Sequence, residues 1–300
     1  MSKLADIYTR IELPCVPVLA EMELNGVLID RAALHKLTVE LARDALALAE
    51  QLGASGLGDP NSPQKVGETL KELGVPLRKR TPTGQLSTDK KVLEELRATW
   101  PVVDVLLNYR ERTKLISTYT AKIPKLLDDG GRLHGSFNQG GHWEEAGGTG
   151  GAAPSTGRIS SSGPNLQNIP KHGRYGTAMR RAFIAPSGRR LVRADIGQEE
   201  ARIGALLSGD EALVRAFNAG EDPYLTIGAL VFDRPITKED VLERQVAKTF
   251  FLAKLYGASI PKLATVNAGG LYVPKGRAGI ASRLFDECYP GIASYARRIN

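Results

Sequence analysis

The 300-residue chain is 42% apolar and 24% charged with a net charge of +7, ordinary for a soluble globular protein with room for two or three cores. No uninterrupted apolar run approaches the length of a bilayer span, and the polar first ten residues hold no apolar leader, so no membrane partner is expected. Cys15 and Cys288 are too far apart for a metal-ligand pattern, and a reduced, cytoplasmic setting is the expectation.

In chain order, the first stretch is helical. Asn25-Gly26 makes a turn and residues 27–29 a short extended run. Asp30 reads as an N-cap, and Leu34, Leu37, Leu41 and Leu48 carry a long helix to about residue 52. Ser62-Pro63 opens a short helix that Gly74 closes. Residues 76–87 form a basic, turn-rich loop, 88–98 another helix, and after Pro101 a second long helix runs from 102 to about 122. The result is an elongated helical arm. Near Gly130 the character changes. Residues 133–138 read as a strand and 140–155 as a Gly-rich loop. Residues 182–185 and 190–194 read as a hairpin around Pro186-Ser187-Gly188. Residues 198–207 form a helix with Glu199 and Glu200 in its first turn and Gly209 at its end, and 210–300 is mostly helical.

Charge distribution says more than net charge. Basic residues crowd Arg78-Lys79-Arg80, Lys90-Lys91, 110–114 and 171–181, several of them in loops, which suits phosphate contact. A merely soluble surface has the same composition. Three constellations have chemistry to offer. Asp195 sits where an expected strand meets a helix, a rigid mount for a carboxylate that holds a hard divalent cation; it equally suits a plain helix cap. The segment from Thr156-Gly157-Arg158 to Asn168-Ile169-Pro170 mixes one Arg with serines, Asn and Gln. Neutral amides and hydroxyls can bond minor-groove acceptors, which hardly differ between base pairs; a satisfied polar loop looks alike. Arg244, Lys248, Leu252 and Tyr256 recur every four residues on one slowly drifting helix face. Two cations, an apolar group and a ring match a triphosphate, a sugar and a base in turn. An amphipathic helix with Lys and Arg stems along its surface has the same pattern.

Together these segments resemble family A DNA polymerases over nearly the whole chain, from about Tyr8 to Tyr295. The most specific stretch is Thr156-Gly157-Arg158 through Asn165-Leu166-Gln167-Asn168-Ile169-Pro170, followed in order by Arg181-Ala182-Phe183-Ile184-Ala185. Tyr109-Arg110-Glu111, Thr113-Lys114 and Ser117-Thr118-Tyr119 resemble the family's thumb-to-palm helix. Asp195, Gln198, Glu200 and Arg202 match motif A, and Arg244, Lys248, Thr249, Tyr256 and Gly257 match motif B on the fingers.

The resemblance implies an α+β fold with right-hand architecture: a helical thumb over 1–129, the first part of an antiparallel-sheet palm over 130–209, and helical fingers over 210–300. It implies template-directed DNA synthesis from dNTPs on primer-template DNA with two Mg²⁺ ions. Asp195, Arg244 and Lys248 would carry the reaction. Asp195 and the Ile196 carbonyl would be metal ligands. Arg244, Lys248, Leu252, Tyr256, Glu200 and Gln198 would hold the nucleotide, with Glu200 a steric gate under the sugar and Tyr256 guarding the templating position. Arg158, Lys114, Arg110, Asn165, Gln167 and Asn168 would contact DNA.

There are departures. Ile196-Gly197 stands where Tyr-Ser is usual, Glu199 replaces an aliphatic residue, Phe251 a usual Asn, and Leu252 a usual Phe or Tyr. These touch nucleotide discrimination more than the basic reaction, and the motif A changes resemble phage members of the family. Residues 140–155 lengthen a short connection, with His142 and Trp143 incidental. The His-Asp-Glu of motif C is not in this sequence. The expectation is therefore a partial palm, a chain that does not polymerise alone, and a missing palm segment supplied in cis or by a second chain. A primer-template binding fragment without catalysis, or one half of a split polymerase, is the alternative.

Overall fold

The computed structural model describes residues 3–139, 156–171 and 173–299. The chain divides into two compact units, Met1–Val192 and Arg193–Asn300. That boundary falls inside the stretch expected to form the palm.

In the first unit, α1 (Lys3–Ile7) runs through a π-helical turn, Tyr8–Glu12, into α2 (Leu13–Asn25), and β1 (Val27–Ile29) follows. Asp30 accepts the Ala33 N–H at 2.9 Å and caps α3 (Arg31–Ala54). Ser62 caps α4 (Pro63–Glu72) through Lys65 N–H, in the cap-then-proline order. After α5 (Lys90–Glu94) comes α6 (Pro101–Leu115), prolonged by a π-helical turn, Ile116–Thr120. Leu34, Leu37 and Leu41 of α3 pack with Leu115, Ile123 and Met179. Farther along α3, Ala45 and Leu52 pack with Val66, Leu70 and Leu106. The helix expected over 88–98 shrinks to α5. Trp100, held extended by the proline after it (φ −121, ψ 100), ends the helical run, and single turns at Leu96 and Trp100 fill the gap.

The strand expected over 133–138 is two: β2 (Arg132–Leu133) and β3 (Ser136–Asn138). The break lies at His134, which turns in to the Glu23 carbonyl, and at Gly135, whose absent Cβ would lie 3.0 Å from the Pro164 carbonyl oxygen. β3 pairs antiparallel with β4 (Ser160–Ser162). α7 (Gly173–Arg181) leads into β5 (Phe183–Ile184). β1 is the centre of an antiparallel sheet in the order β2-β1-β5, with Leu28 opposite both Arg132 and Ile184. The hairpin expected from 182–185 and 190–194 is not formed. Its turn closes, Arg189 N–H to Pro186 carbonyl at 3.0 Å. Its first arm, however, pairs with β1, and its second is not a strand. Leu191 and Val192 reach no core and remain 62% and 90% exposed. Extended propensity needs a partner edge before it becomes a strand.

The second unit is helical: α8 (Glu199–Ser208), α9 (Glu211–Asn218), α10 (Pro223–Phe232), α11 (Val241–Leu255), α12 (Ile260–Leu263), then a small hairpin of β6 (Asn267–Ala268) and β7 (Leu271–Tyr272), then α13 (Arg277–Cys288) and α14 (Pro290–Ile299). Its core is a chain of edge-to-face rings. Phe251 meets Tyr224 at 5.6 Å and Phe285 at 5.5 Å, and Phe285 meets Tyr289 at 5.3 Å. Burial pushes the Tyr289 hydroxyl up to about 12. Gly228 brings α10 against its neighbours: a Cβ there would fall 1.9 Å from Ile236 Cδ1 and 3.5 Å from Ala247 Cβ.

Asp210 is a buried carboxylate that joins two helix starts. One oxygen accepts the Leu213 N–H at 3.0 Å at the head of α9. The other accepts Gly291 N–H at 2.8 Å and Ile292 N–H at 3.3 Å at the head of α14. Asp210→Ala would leave those donors unsatisfied, at a cost of about 2–4 kcal/mol in the denaturant-measured stability of this unit, with Asp210→Asn milder.

His134 joins α2 to the sheet. Nδ1 lies 2.7 Å from the Glu23 carbonyl and Nε2 lies 3.1 Å from Asp128 Oδ2. Two acceptors favour the doubly protonated ring, and its pKa rises above 6.5 chiefly through the Glu23 carbonyl. A raised folded pKa gives stability that is whole below 6.5 and is lost as pH rises through the folded value. Asp128, held down chiefly by the Arg132 N–H, acts the other way and loses its contribution in acid. Stability should therefore fall as pH rises above the ordinary histidine value of 6.5, and a His134→Gln variant should lack that step in urea titrations.

Candidate functional site

Asp195 does not stand at the end of a strand. Residues 190–196 are irregular, and Asp195 and Ile196 are exposed. Gly197 and Gln198 then turn the chain into α8, Gln198 in the left-handed region at φ 59. Arg202 Nε donates to the Gly197 carbonyl at 3.0 Å and braces that turn. Among the described residues no cluster of three His, Cys, Asp or Glu side chains is placed to hold a metal. Asp195 offers one open carboxylate. That fits a single ligand and not a complete two-ion centre.

The nucleotide candidates are more closely organised. Asp222, which also caps α10 through the Tyr224 N–H at 3.1 Å, accepts Gln198 Nε2 at 2.8 Å and Arg244 Nε at 2.7 Å. Arg244 also lies over the Tyr224 ring, 5.6 Å from its centroid. One turn on, Lys248 is half-buried and has no ion pair or hydrogen bond among the described residues. Leu252 packs part-buried against the core. Tyr256 is the residue just beyond α11 rather than within it, and its hydroxyl donates to Glu200 Oε1 at 2.9 Å. So Gln198 meets Arg244 through Asp222, and Glu200 meets Tyr256 directly. Elsewhere around α11, Val246, Ala247, Phe250 and Phe251 are buried. Phe251, a departure in the sequence, is a buried core residue whose ring meets Tyr224, the ring under Arg244. Sequence reasoning missed Asp222. Its one signal was the Asp-Pro order of a helix start, which announces a cap and nothing more.

In the first unit a cleft of about 470 Å³ is lined by Arg110, Lys114, Lys90, Tyr119 and Asn168 among others. Its cations differ. Lys114 is exposed. Arg110 donates to the Thr88 carbonyl at 2.5 Å and Thr88 Oγ1 at 3.3 Å, and burial pushes its guanidinium pKa down. Tyr119 donates to the Asn168 carbonyl at 2.6 Å, leaving the Asn168 side chain outward. Asn165 caps a short 3₁₀ turn, Leu166–Asn168, through the Gln167 N–H, and Gln167 Nε2 reaches the Ile159 carbonyl at 2.9 Å. Arg158 is exposed beside them. Lys114, Arg110 and Asn168 share the cleft; Arg158, Asn165 and Gln167 lie on the loop outside its lining. His142 and Trp143 lie outside the described residues.

The sequence profile of DNA polymerase family A matches residues 31–300. The thermostable DNA polymerase I of Thermus aquaticus is 41% identical over 264 residues, which is 86% of this chain and 30% of that protein. DNA polymerase I of Pseudomonas aeruginosa is 37% identical over 300 residues, 98% of this chain and 31% of that protein. A solved structure, the POL domain of Pol1 from M. smegmatis in complex with DNA primer-template and dNTP, matches with a TM-score of 0.79 and 31% identity, over 96% of this chain and 49% of that one. The chain belongs to DNA polymerase family A. It spans roughly a third of the length of these curated relatives and about half of the solved chain.

Within this family A chain the two cleft cations can be told apart by their bonds. Arg110→Ala strips a half-buried donor from Thr88 and should cost about 1–3 kcal/mol of stability. Lys114→Ala, at an exposed position, should stay within about 0.5 kcal/mol of the parent. Urea denaturation of both variants checks this; equal losses would contradict the division.

Proposed function

We propose that this chain carries the primer-template grip and the nucleotide-binding helix of a polymerase that extends a primer from dNTPs on a DNA template. The observation that carries the reading is α11. The helix is seated in an aromatic core, and along one side of it run Arg244, then Lys248, unpartnered among the described residues, then Leu252 at the edge of that core, with Tyr256 just beyond. A half-buried cation without a counter-charge is costly unless an anion visits it, and a triphosphate is such an anion. In nucleotidyl transfer the primer 3′-hydroxyl attacks the α-phosphorus and pyrophosphate leaves. Lys248 and Arg244 would bind and steady the departing phosphates. Leu252 and Tyr256 would face the sugar and base, and Glu200, tied to Tyr256, would crowd the sugar's 2′ position. Gln198 would brace this side.

Residues 1–129 would act as thumb, 130–209 as part of the palm and 210–300 as fingers. Lys114, Arg158, Asn165, Gln167 and Asn168 would follow the DNA backbone and minor groove, with Arg110 shaping the cleft. Divalent Mg²⁺, for which Asp195 and the Ile196 carbonyl would be ligands, would supply charge neutralisation at the phosphates when bound. The lone Asp195 carboxylate favours keeping a second reading, a binding module without catalysis.

Two titrations test the proposal. Primed duplex should bind without sequence preference, with a log–log salt slope of roughly −3 to −6 for about four to six neutralised phosphates. Lys114→Ala and Arg158→Ala should weaken all sequences alike. Lys248→Ala should weaken dNTP binding by about tenfold or more, because a charge-assisted contact is lost. Salt-independent DNA affinity, or an unchanged dNTP affinity in Lys248→Ala, would contradict it. Nucleotide affinity without any primer extension would favour the binding-only reading.

A further inference from the structure

Arg244 is assigned to the triphosphate, yet its guanidinium is already held on one edge. Asp222 Oδ2 lies 2.7 Å from Nε and 2.7 Å from Nη2, a side-on grip. The Tyr224 ring adds a second surface against it. The grip itself is braced. The Asp222 side chain is 8% exposed, and its other oxygen accepts Gln198 Nε2 and the Tyr224 N–H. Capping α10 needs only one of these bonds. The rest of the carboxylate serves Arg244 and Gln198.

A guanidinium carries five N–H donors in a rigid planar fork. The side-on grip engages the Nε side and leaves the Nη1 donors on the far edge. We propose that Asp222 is the positioning residue for Arg244, fixing the fork so that this far edge is presented to the phosphates of an incoming nucleoside triphosphate. The inference rests on the nucleotide reading of α11. It adds a division of labour. Asp222 offsets much of the Arg244 charge, so Arg244 acts through direction and Lys248 supplies the net positive charge. It also moves Gln198 from a nucleotide contact to a brace that keeps Asp222 in register. A fork held in place before the ligand arrives loses little further freedom on binding, which is how a preset group gains affinity.

The test is a double-mutant cycle read by equilibrium titration of a fluorescent dNTP analogue, with primed duplex titrated in parallel, on the 300-residue chain. Asp222→Asn should weaken dNTP binding about tenfold while primed-duplex affinity stays within about twofold. In an Arg244→Ala background the same change should cost less than about twofold, because there is no fork left to aim. Gln198→Leu removes only the brace and keeps the cap, so it should loosen the nucleotide about two- to threefold and remains informative if Asp222→Asn folds poorly. Loss of the α10 cap alone would lower the unfolding temperature equally in both backgrounds and leave the nucleotide affinity of the folded protein unchanged. An unchanged dNTP affinity in Asp222→Asn, or an equal loss with and without Arg244, overturns the inference. The Lys248→Ala arm separates the two claims. If it weakens dNTP binding and Asp222→Asn does not, only the positioning role falls; if it has no effect, the nucleotide reading of α11 falls and takes the inference with it.

Discussion

Asp222 ties three stretches of the second unit with one carboxylate: the turn before α8, the start of α10 and the first turns of α11. A buried ion pair is retained only when its remaining lone pairs are satisfied, and here Gln198 and the Tyr224 amide satisfy them. The residues matching motif A and those matching motif B are far apart in sequence. Two links join them: Glu200 to Tyr256 directly, and Gln198 to Arg244 through Asp222, a residue in neither set. Beyond that carboxylate, Arg244 has the Tyr224 ring against it.

The other constraint on α11 is steric. Its buried face meets rings of α10 and α13 edge-on, and Phe251 sits among them. Lys254 reinforces the contact from the flank, donating to Ser282 and Asp286 at 2.8 Å each. The helix is therefore fixed in rotation by packing on one side and by charge on another. Lys248 stays half-buried outside that packing. Phe251, one of the departures in the sequence, is part of that seat.

Much of this was legible in the sequence because the deciding physics is local. Asp30 and Ser62-Pro63 announce helix starts through bonds spanning three residues, and both caps form. The four-residue spacing of Arg244, Lys248 and Leu252 fixes a face of α11 whatever surrounds it. What the sequence hid is non-local. Residues 190–194 have strand propensity, but strand formation depends on a neighbouring edge that no window of sequence reports. Residues 133–138 look continuous until His134 finds the Glu23 carbonyl, 111 positions away. Arg110 carries the same charge as Lys114, and only folding reveals that one is tied to Thr88 while the other is open. Asp210 and Asp222 go unremarked in the sequence, because the second bond each carboxylate makes beyond its cap leaves no mark on sequence spacing.

The glycine at 228 has a mechanical consequence. With no side chain there, Ile236 occupies the space a Cβ would take on α10, and Ala247 of α11 lies in ordinary contact beside it. Interdigitated helices of this kind yield by small slides or move together, not by one turning in place. A side chain at 228 would have to push Ile236 away from α10, so the connection between α10 and α11 keeps its seat only while that position stays bare.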